Sequence, residues 1–439
     1  MKIGFLLLRD TFLKTMGSLI EASVNRDHQV VLLFTEGPIH GNKAYQRMTR
    51  EKLSQFSRQS LETVPILLKD LGMVKEKNQL DVLVTLEGYY MLNDYLAEIQ
   101  EARGNGVKVV SLSHFYENAM RLLESLDYFD KTYYLSQFAV DIHFELNGGG
   151  SVDQLKEKYA GKYEAMGSPM FDQLKNIDRR RMRVEFGIPP GKRVVLFFAP
   201  AISAETRWRF LVWGQGGKIK HIKQAVKEGY WSVIPDAIFV PSLEEVLEEL
   251  RQFCERNNAF LVIKSRAKQR DSMYFQEKAD LYLSGEGDRY YPVFTGYELL
   301  AIADVCIGVM SMSALEAAAM QVPVWNIYVP SAELEYPTNP LYPRQKQFYR
   351  MIMGKEKEGP FNYSGVLNNI EPRNIRKWFR ESSLDDAVID PKAAARYAER
   401  YLGFSDKASS DRILDSLEEL HASRALKAKV PGVVPPRTQ

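Results

Sequence analysis

The sequence predicts an α/β protein with two doubly wound, Rossmann-like domains that face a cleft. Short apolar runs alternate with helical segments in both halves of the chain, which is typical of parallel sheets covered by helices on both faces. The alternation is interrupted near residues 170–190, where turn-forming residues precede a charged segment. A chain of 439 residues is long enough for two domains. Ligands of such domains bind at the carboxyl ends of the strands.

The first domain, predicted over residues 1–175, contains short apolar runs without polar alternation, as expected of strands buried on both faces. These strands are predicted at Lys2–Leu8, Gln29–Phe34, Asp81–Leu86, Val107–Leu112 and Lys131–Ser136. The intervening segments predict helices at Thr11–Asn25, Glu51–Lys75 and Asn93–Arg103. Turn-forming residues at Gly148–Gly150 and Gly167–Asp172 then end the pattern.

The second domain, predicted over residues 176–385, repeats the same pattern. Its strands are predicted at Val194–Ala199, Phe260–Lys264, Val305–Val309 and Pro323–Tyr328, and its helices at Ser242–Arg256, Tyr297–Ala303 and Ala314–Met320. Residues 330–365, rich in Pro, Tyr and basic residues, are expected to form an ordered loop. Separate C-terminal helices are expected over 386–421, followed by a flexible tail over 422–439.

The net charge, the apolar segments and the cysteines of the chain argue against several classes of protein. The formal net charge is only +2 and no nucleic-acid-binding module is recognisable, which argues against a nucleic-acid partner. The apolar run in MKIGFLLLRD is too short for a signal peptide or a membrane span. Both cysteines, Cys254 and Cys306, lie in apolar or helical contexts and suggest a reducing compartment. We therefore expect a cytoplasmic protein.

The stretch from Ala301 to Tyr328 predicts a phosphate-binding strand–turn–helix–strand unit. The first turn of a helix leaves N–H groups unpaired and carries the positive end of the helix dipole. The turn Ser311-Met312-Ser313 offers two hydroxyls and would let a phosphate approach those amides. Glu316, one turn further on, is placed to accept hydrogen bonds from a ribose diol. This unit is therefore predicted to bind a nucleotide.

A structural explanation competes with that hypothesis. Ser313-Ala314-Leu315-Glu316 matches the S-x-x-E capping box, in which the serine and the glutamate satisfy each other's backbone amides. The two roles are compatible, because a capped helix start is also a better ordered anion site.

Three separated segments resemble one protein family. They are GSPMFDQLKNIDRRRMRVEFGIPPGKRVVLFFAPA (167–201), the site at Ser311–Glu316, and YLGFSDKASSDRIL (401–414). In this order they resemble the bacterial CDP-glycerol glycerophosphotransferases and related surface-polysaccharide glycosyltransferases of the GT-B fold. The resemblance implies a donor diphosphate at Ser311 and Ser313, with Glu316 near the ribose.

The chain departs from that family's pattern at two places. Lys264-Ser265-Arg266 stands where His-Pro is common, and Ser405-Asp406-Lys407 stands where Asp-Gly-Lys is expected. Cations at a strand end suit phosphate or carboxylate, so Lys264 and Arg266 are predicted to contact the donor, with a solvated basic loop as the alternative.

Transfer from a nucleotide donor requires stabilisation of the departing phosphate and, for inversion, a base for the acceptor hydroxyl. Three residues of the first domain follow predicted strands and are candidate bases: His114, Glu87 and Asp10. No D-x-D motif occurs, so we predict a site without metal and without any cofactor besides the donor.

The expected function is a glycosyltransferase or polyol-phosphate transferase that builds a cell-surface glycan or polymer from a nucleotide-activated sugar or polyol. The alternatives are a UDP-sugar 2-epimerase of similar fold and a two-domain small-molecule binding protein.

Residues 203–240 combine Trp208, Trp213 and Trp231 with basic residues. We expect this segment either to pack over the sheet or to contact a glycan or lipid-linked acceptor, with peripheral contact at the inner face of the membrane.

Overall fold

A computed structural model describes most of the chain. The described residues are 1–35, 47–56, 61–86, 95–113, 116, 119, 121–148, 151–199, 223, 226–227, 241, 243–265, 272–284, 294–309, 311–327, 345–353, 358–403 and 408–429. Contacts between Cα atoms divide the chain into two compact units. The first contains the described residues within Met1–Asp172 and Gly403–Gln439, and the second those within Gln173–Arg289 and Val293–Leu402.

The first unit is built on a parallel sheet of seven strands. In chain order they are β1 (Lys2–Leu7), β2 (Gln29–Phe34), β3 (Glu62–Pro65), β4 (Val82–Leu86), β5 (Lys108–Leu112), β6 (Lys131–Tyr134) and β7 (Tyr163–Ala165). Their order across the sheet is β3-β2-β1-β4-β5-β6-β7. Strands β2 and β3 thus lie on one side of β1, and β4 to β7 follow on the other side. This is the doubly wound topology.

The helices of this unit are α1 (Thr11–Asn25), α2 (Arg50–Phe56), α3 (Val74–Asn78), α4 (Leu96–Gly104), α5 (Gln137–Asn147) and α6 (Val152–Lys158). Short 3₁₀ turns lie at Leu68–Met73, Leu123–Tyr128 and Pro169–Asn176. The predicted helix at Glu51–Lys75 is wrong, because that segment holds α2, β3 and a 3₁₀ turn. A helix through this segment is disfavoured by Pro65, which lacks an N–H and would clash with the preceding helical turn. Pro65 also disfavours the helical conformation of Val64 before it.

The second unit has a parallel sheet of six strands in the order β10-β9-β8-β11-β12-β13. The strands are β8 (Arg193–Phe198), β9 (Ala259–Lys264), β10 (Leu281–Leu283), β11 (Val305–Gly308), β12 (Val324–Ile327) and β13 (Leu367–Ile370). The helices are α7 (Arg179–Glu185), α8 (Leu243–Arg256), α9 (Ser272–Lys278), α10 (Thr295–Ile302), α11 (Met312–Ala319), α12 (Gln345–Met353), α13 (Ile375–Glu381) and α14 (Pro391–Tyr397). Two 3₁₀ turns (Pro372–Asn374, Leu384–Asp386) and a π-helical turn (Ala398–Leu402) complete the unit.

The expectation of a loop throughout 330–365 is wrong, since α12 lies within it. The C-terminal helices do not form the expected group of their own. Residues up to Leu402 belong to the second unit, whereas α15 (Ser409–Lys429) belongs to the first. There, the Asp172 carboxylate accepts hydrogen bonds from the N–H groups of Ser409 (2.9 Å) and Ser410 (2.8 Å) and holds the start of α15.

Each unit has its own core. The side chains of β1, β4 and β5 in the first unit and of β8, β9, β11 and β12 in the second are almost entirely buried. In the second unit Trp325 of β12 contacts Phe253, Trp378 and Phe379 at ring-centroid distances of 5.3, 5.6 and 6.4 Å. Among the described helices, none combines the length and the apolar character that a membrane span requires.

Candidate functional site

The topological switch point of the second unit lies between β8 and β11, because the chain continues from β8 to β9 on one side and returns to β11 on the other. Doubly wound sheets bind ligands at the carboxyl ends of the strands beside such a point. β11 ends at Gly308, and α11 begins a few residues later at Met312. The predicted nucleotide-binding turn therefore lies at the switch point.

Helix α11 begins two residues earlier than predicted, and its N-cap is Ser311. The Ser311 hydroxyl oxygen accepts a hydrogen bond from the backbone N–H of Ser313 over 3.4 Å. Ser313 is therefore inside the first turn, beside Met312, and the alternative explanation that Ser313 and Glu316 form a capping box is wrong. A cap at Ser311 leaves Ser313 available for another role.

The Ser313 hydroxyl is buried and lacks a hydrogen-bond partner among the described residues. Its residue is only 7% exposed, and a buried polar group without a partner is uncommon in folded proteins. Gly308 lies directly beside it, since a Cβ added to Gly308 would be in van der Waals contact with the Ser313 oxygen at 3.7 Å and with Cβ of Ser311 at 3.9 Å. A hydroxyl, a helix N-terminus and a glycine thus meet at one point, which is the composition of an anion site.

Glu316 lies in the interior of α11 and is 4% exposed. Burial raises the pKa of the Tyr297 hydroxyl and of the Cys306 thiol, and the charge of Glu316 raises both further. Helix α11, which carries Glu316, packs against α10 and β11. The position of Glu316 on the helix is one turn beyond Ser313, as the ribose-binding hypothesis requires.

Lys264 is the last residue of β9 and is separated from β11 by β8. Two strand spacings put their ends about 10 Å apart at the same edge of the sheet. The backbone beyond Lys264 is fixed, because Ser265 donates its N–H to the carbonyl of Leu283 at 2.9 Å and its hydroxyl lies 2.6 Å from that of Tyr282. Arg266 lies outside the described residues.

Three residues of this edge were not predicted from the sequence: Gly308, Ser265 and Tyr282. Gly308 could have been recognised from a glycine that ends an apolar strand just before a helix start. The Ser265–Tyr282 contact had no sequence signal, because it joins the residue after β9 to the middle of β10, a strand that was not predicted.

In the first unit the switch point lies between β1 and β4. Asp10 follows β1 and is 8% exposed. One of its carboxylate oxygens accepts a hydrogen bond from the N–H of Thr11 (2.7 Å), and the other accepts one from Nζ of Lys52 (2.8 Å). Burial raises the pKa of the Asp10 carboxyl, and the hydrogen bond from Lys52 opposes that effect.

The other two candidate bases, Glu87 and His114, lie outside the described residues. Glu87 directly follows β4, and His114 comes two residues after β5. Among the residues that the structure describes, no group of three or more His, Cys, Asp or Glu side chains could hold a metal ion.

No protein-family model matches the chain, and a search of curated proteins finds no match. Solved structures do match. UDP-GlcNAc 2-epimerase from Neisseria meningitidis bound to UDP-GlcNAc is 12% identical, with a TM-score of 0.53 over 95% of this chain and 100% of that one. MnaA from S. aureus in complex with UDP is 11% identical, with a TM-score of 0.54 over 95% and 96% of the two chains.

The wall teichoic acid polymerase TagF soaked with CDPG is similar to the same degree, with 9% identity and a TM-score of 0.54. The similarity covers 97% of this chain and 89% of that one. At these identities the similarity concerns the fold. The chain therefore has the GT-B fold of two Rossmann-like units.

Proposed function

We propose that the chain is a transferase that uses a nucleotide-activated sugar or polyol to extend a cell-surface glycan or polymer. The buried hydroxyl of Ser313 at the start of α11, which has no hydrogen-bond partner within the described part of the chain, carries this proposal. A site for a donor diphosphate needs a group of this kind, because each phosphate oxygen requires a fixed donor once water is excluded.

The other proposed contacts to the donor are assigned from where each residue lies relative to the start of α11 and the end of β9. The N–H groups of the first turn of α11, from Met312 on, are proposed to bind the diphosphate, and Glu316 to accept hydrogen bonds from the ribose. Lys264 and Arg266, at and after the end of β9, are proposed to offset the charge that develops on the leaving phosphate. These groups act without a metal ion.

The base that takes the proton of the acceptor hydroxyl is proposed to come from the first unit. His114 has a reference pKa near neutrality, which suits a base at physiological pH. Glu87 is the second candidate. Asp10 is the third, although both of its carboxylate oxygens are engaged by Thr11 and Lys52.

The acceptor is proposed to be a glycan or a lipid-linked chain, handled in the cytoplasm at the inner face of the membrane. The structures that share this fold include a wall teichoic acid polymerase, whose printed name describes this class of product. The aromatic and basic segment 203–240, which lies outside the described residues, is proposed to contact that acceptor.

A thermal-shift screen of the intact chain against CMP, CDP, UDP, GDP and their sugars tests this proposal. A ligand that binds only the folded state at a hundredfold excess over its Kd stabilises it by about 2.7 kcal/mol. We expect a nucleoside diphosphate to raise Tm and its parent nucleoside to have little effect. The absence of a shift with every nucleotide would contradict the proposal.

An activity assay separates the transferase from the epimerase alternative, which the epimerase structures of the same fold make worth testing. A transferase consumes the activated donor only when an acceptor is present. Conversion of a UDP-sugar to its 2-epimer without acceptor would instead support the epimerase. Binding of a nucleotide with neither reaction would support the small-molecule binding protein.

A further inference from the structure

The first unit contains a cavity of about 280 Å³ beside β3, the outermost strand of its sheet. One side of this β3 cavity is formed by the last two residues of β3 and the two residues that follow them. The other side is formed by α3 and by Asp70 of the 3₁₀ turn before it. Sites for small molecules usually begin at about 300 Å³, so the cavity suits a small ligand such as one sugar residue.

The side of the cavity formed by α3 is fixed by the rest of the unit. Leu71 of the 3₁₀ turn and Val74 of α3 are almost entirely buried. Asn105, just after α4, donates from its side-chain amide to the carbonyl of Gly72 at 3.0 Å. The 3₁₀ turn also packs along α4. The cavity is therefore preformed and does not depend on a ligand to shape it.

Most of the lining is apolar, and the charges within it cancel. The apolar lining residues are Val64, Pro65, Ile66, Leu67 and Val74. Asp70 and Lys77 form an ion pair in which Oδ2 and Nζ are 3.1 Å apart. A charged ligand would have to compete with this pair, so the cavity favours an uncharged molecule with an apolar group.

Asn78, the last residue of α3, is the observation that points to a ligand. It lines the cavity and is only 9% exposed, and its side-chain amide forms no hydrogen bond with any described residue. A buried amide normally has partners for its oxygen and for its NH₂ group. An amide group of a ligand supplies both, because its N–H donates to the Asn78 oxygen and its oxygen accepts from the NH₂ group.

An acetamido group on a sugar combines the features that the lining selects. Its methyl group fits the apolar walls, and its amide fits Asn78. The hydroxyls of the sugar ring can donate to the Asp70 carboxylate and accept from the Lys77 ammonium group, which are the more exposed groups of the lining. An uncharged ligand with an apolar methyl group and an amide is therefore best represented by an N-acetylated sugar.

The position of the cavity connects it with the acceptor. β3 lies two strands from β1 in the sheet, so the carboxyl ends of the two strands are about 10 Å apart at the same edge. The candidate bases also follow strands of this sheet. We propose that the β3 cavity binds an N-acetylated sugar residue of the acceptor, at a distance from its reacting end. The assignment to an acceptor rests on the proposed function, whereas the sugar site does not.

Saturation-transfer NMR on the intact chain tests this inference. The probes are the methyl glycosides of N-acetylglucosamine and of glucose, which differ in the acetamido group. We expect saturable binding of the first, with the strongest transfer to its acetyl methyl protons. The glucoside should bind at least about tenfold more weakly, because it leaves the buried amide of Asn78 without a partner.

Two variants test whether the sugar occupies this cavity. Asn78→Leu should weaken binding of the N-acetylated probe about 5- to 10-fold and remove the preference over glucose. Its Tm should stay the same or rise, because the amide has no partner among the described residues. Leu67→Ala should weaken binding about 3- to 5-fold, the effect of about one methylene less in contact. Leu122→Ala is the matched control, because Leu122 is 59% exposed in the same unit, compared with 52% for Leu67, and does not line the cavity.

The outcomes separate this inference from the proposed function. No saturable binding, or binding that is unchanged in both Asn78→Leu and Leu67→Ala, would overturn the sugar site. Equal affinity for the two glycosides would overturn the assignment to an acetamido group. Cavity-dependent binding of the N-acetylated probe by a protein that binds no nucleotide would retain the sugar site and reject the transferase.

Discussion

The hydroxyl oxygen of Ser311 accepts the backbone N–H of Ser313 over 3.4 Å, and in this way one serine caps α11 while the hydroxyl of the other stays unpartnered among the described residues. The two serines of one turn thus have different roles. Ser311 contributes to the stability of the helix, whereas Ser313 is the group proposed to bind the donor.

This difference predicts opposite effects of two similar substitutions. Ser313→Ala removes a buried hydroxyl that no other described residue satisfies, so Tm should stay the same or rise. Affinity for a nucleoside diphosphate should fall about 5- to 10-fold, the effect of one lost hydrogen bond of about 1 kcal/mol. Ser311→Ala removes the cap and should lower stability by about 1 kcal/mol. Calorimetry and thermal unfolding measure both quantities. Reduced stability with unchanged affinity in Ser313→Ala would mean that Ser313 is structural.

Glu316 is predicted to bind the ribose of the donor. Glu316→Gln keeps the size of the side chain but loses charge-assisted hydrogen bonds, which are worth about 1.5–3 kcal/mol. Losing part of that energy should weaken nucleotide affinity roughly 3- to 30-fold with little change in Tm. Glu316→Ala should lower both affinity and Tm, because the residue is 4% exposed. A Gln variant that binds nucleotide as tightly as the wild type would remove Glu316 from the site.

Lys264 and Arg266 are predicted to contact phosphate rather than the nucleoside. Replacing both with Ala should weaken binding of a nucleoside diphosphate by about tenfold or more and leave binding of the nucleoside nearly unchanged. Lys377→Ala is the control, since Lys377 lies on the exposed face of α13. If calorimetry shows equal losses for both ligands, the two residues support the fold and do not bind phosphate.

His114 is predicted to be the general base. His114→Ala should reduce turnover roughly 10²- to 10⁴-fold, the usual contribution of such a group. The Kd for the donor should change little, because the base acts on the acceptor. Steady-state kinetics with a saturating donor measure the effect. Turnover close to that of the wild type would exclude His114, and Glu87→Gln would then be the next variant to measure.

Glu249 is predicted to make stability depend on pH. It is 5% exposed on α8 and accepts hydrogen bonds from Arg376 (3.1 Å) and Arg380 (2.9 Å) of α13. The hydrogen bond from Arg380 is the main cause that lowers the pKa of this carboxyl below its ordinary value of 4.5. A lowered folded pKa means that the carboxylate stabilises the fold above pH 4.5 and that this stability is lost as pH falls through the folded pKa.

Glu249→Gln should therefore lower Tm by a few degrees at neutral pH, and the difference from the wild type should shrink on acidification. Glu381→Gln is the control, because the contact of Glu381 with Lys377 is exposed and should contribute little. A difference between Glu249→Gln and the wild type that does not change between neutral and acidic pH would contradict this explanation.

The sequence predicted the interior strands of both sheets and missed the edge strands. β1, β4, β5, β8, β9, β11 and β12 are each almost entirely buried, so each appears as an uninterrupted apolar run. The four missed strands, β3, β7, β10 and β13, are the outer strands of the two sheets. They have three or four residues and are partly exposed or mixed in burial, so no apolar run marks them.

In the candidate site, too, one part was predictable from the local sequence and another was not. Ser311, Met312, Ser313 and Glu316 lie within one turn and the helix after it, and local spacing was enough to place them at a helix start. The choice of Ser311 instead of Ser313 as the cap shifted that start by two residues. Local sequence could not settle this, because both serines are good caps.

The sequence by itself determined what depends on neighbouring residues: the class of fold, the interior strands and the serine-containing turn that starts a helix after β11. Only the tertiary structure decided which strands lie side by side, and with them the two switch points. The ion pair of Asp10 with Lys52 joins residues 42 positions apart, and the pairing of β1 with β4 brings Ile3 beside Val82. Such contacts form because buried backbone and charged groups must find partners, and those partners come from distant segments that no local pattern identifies.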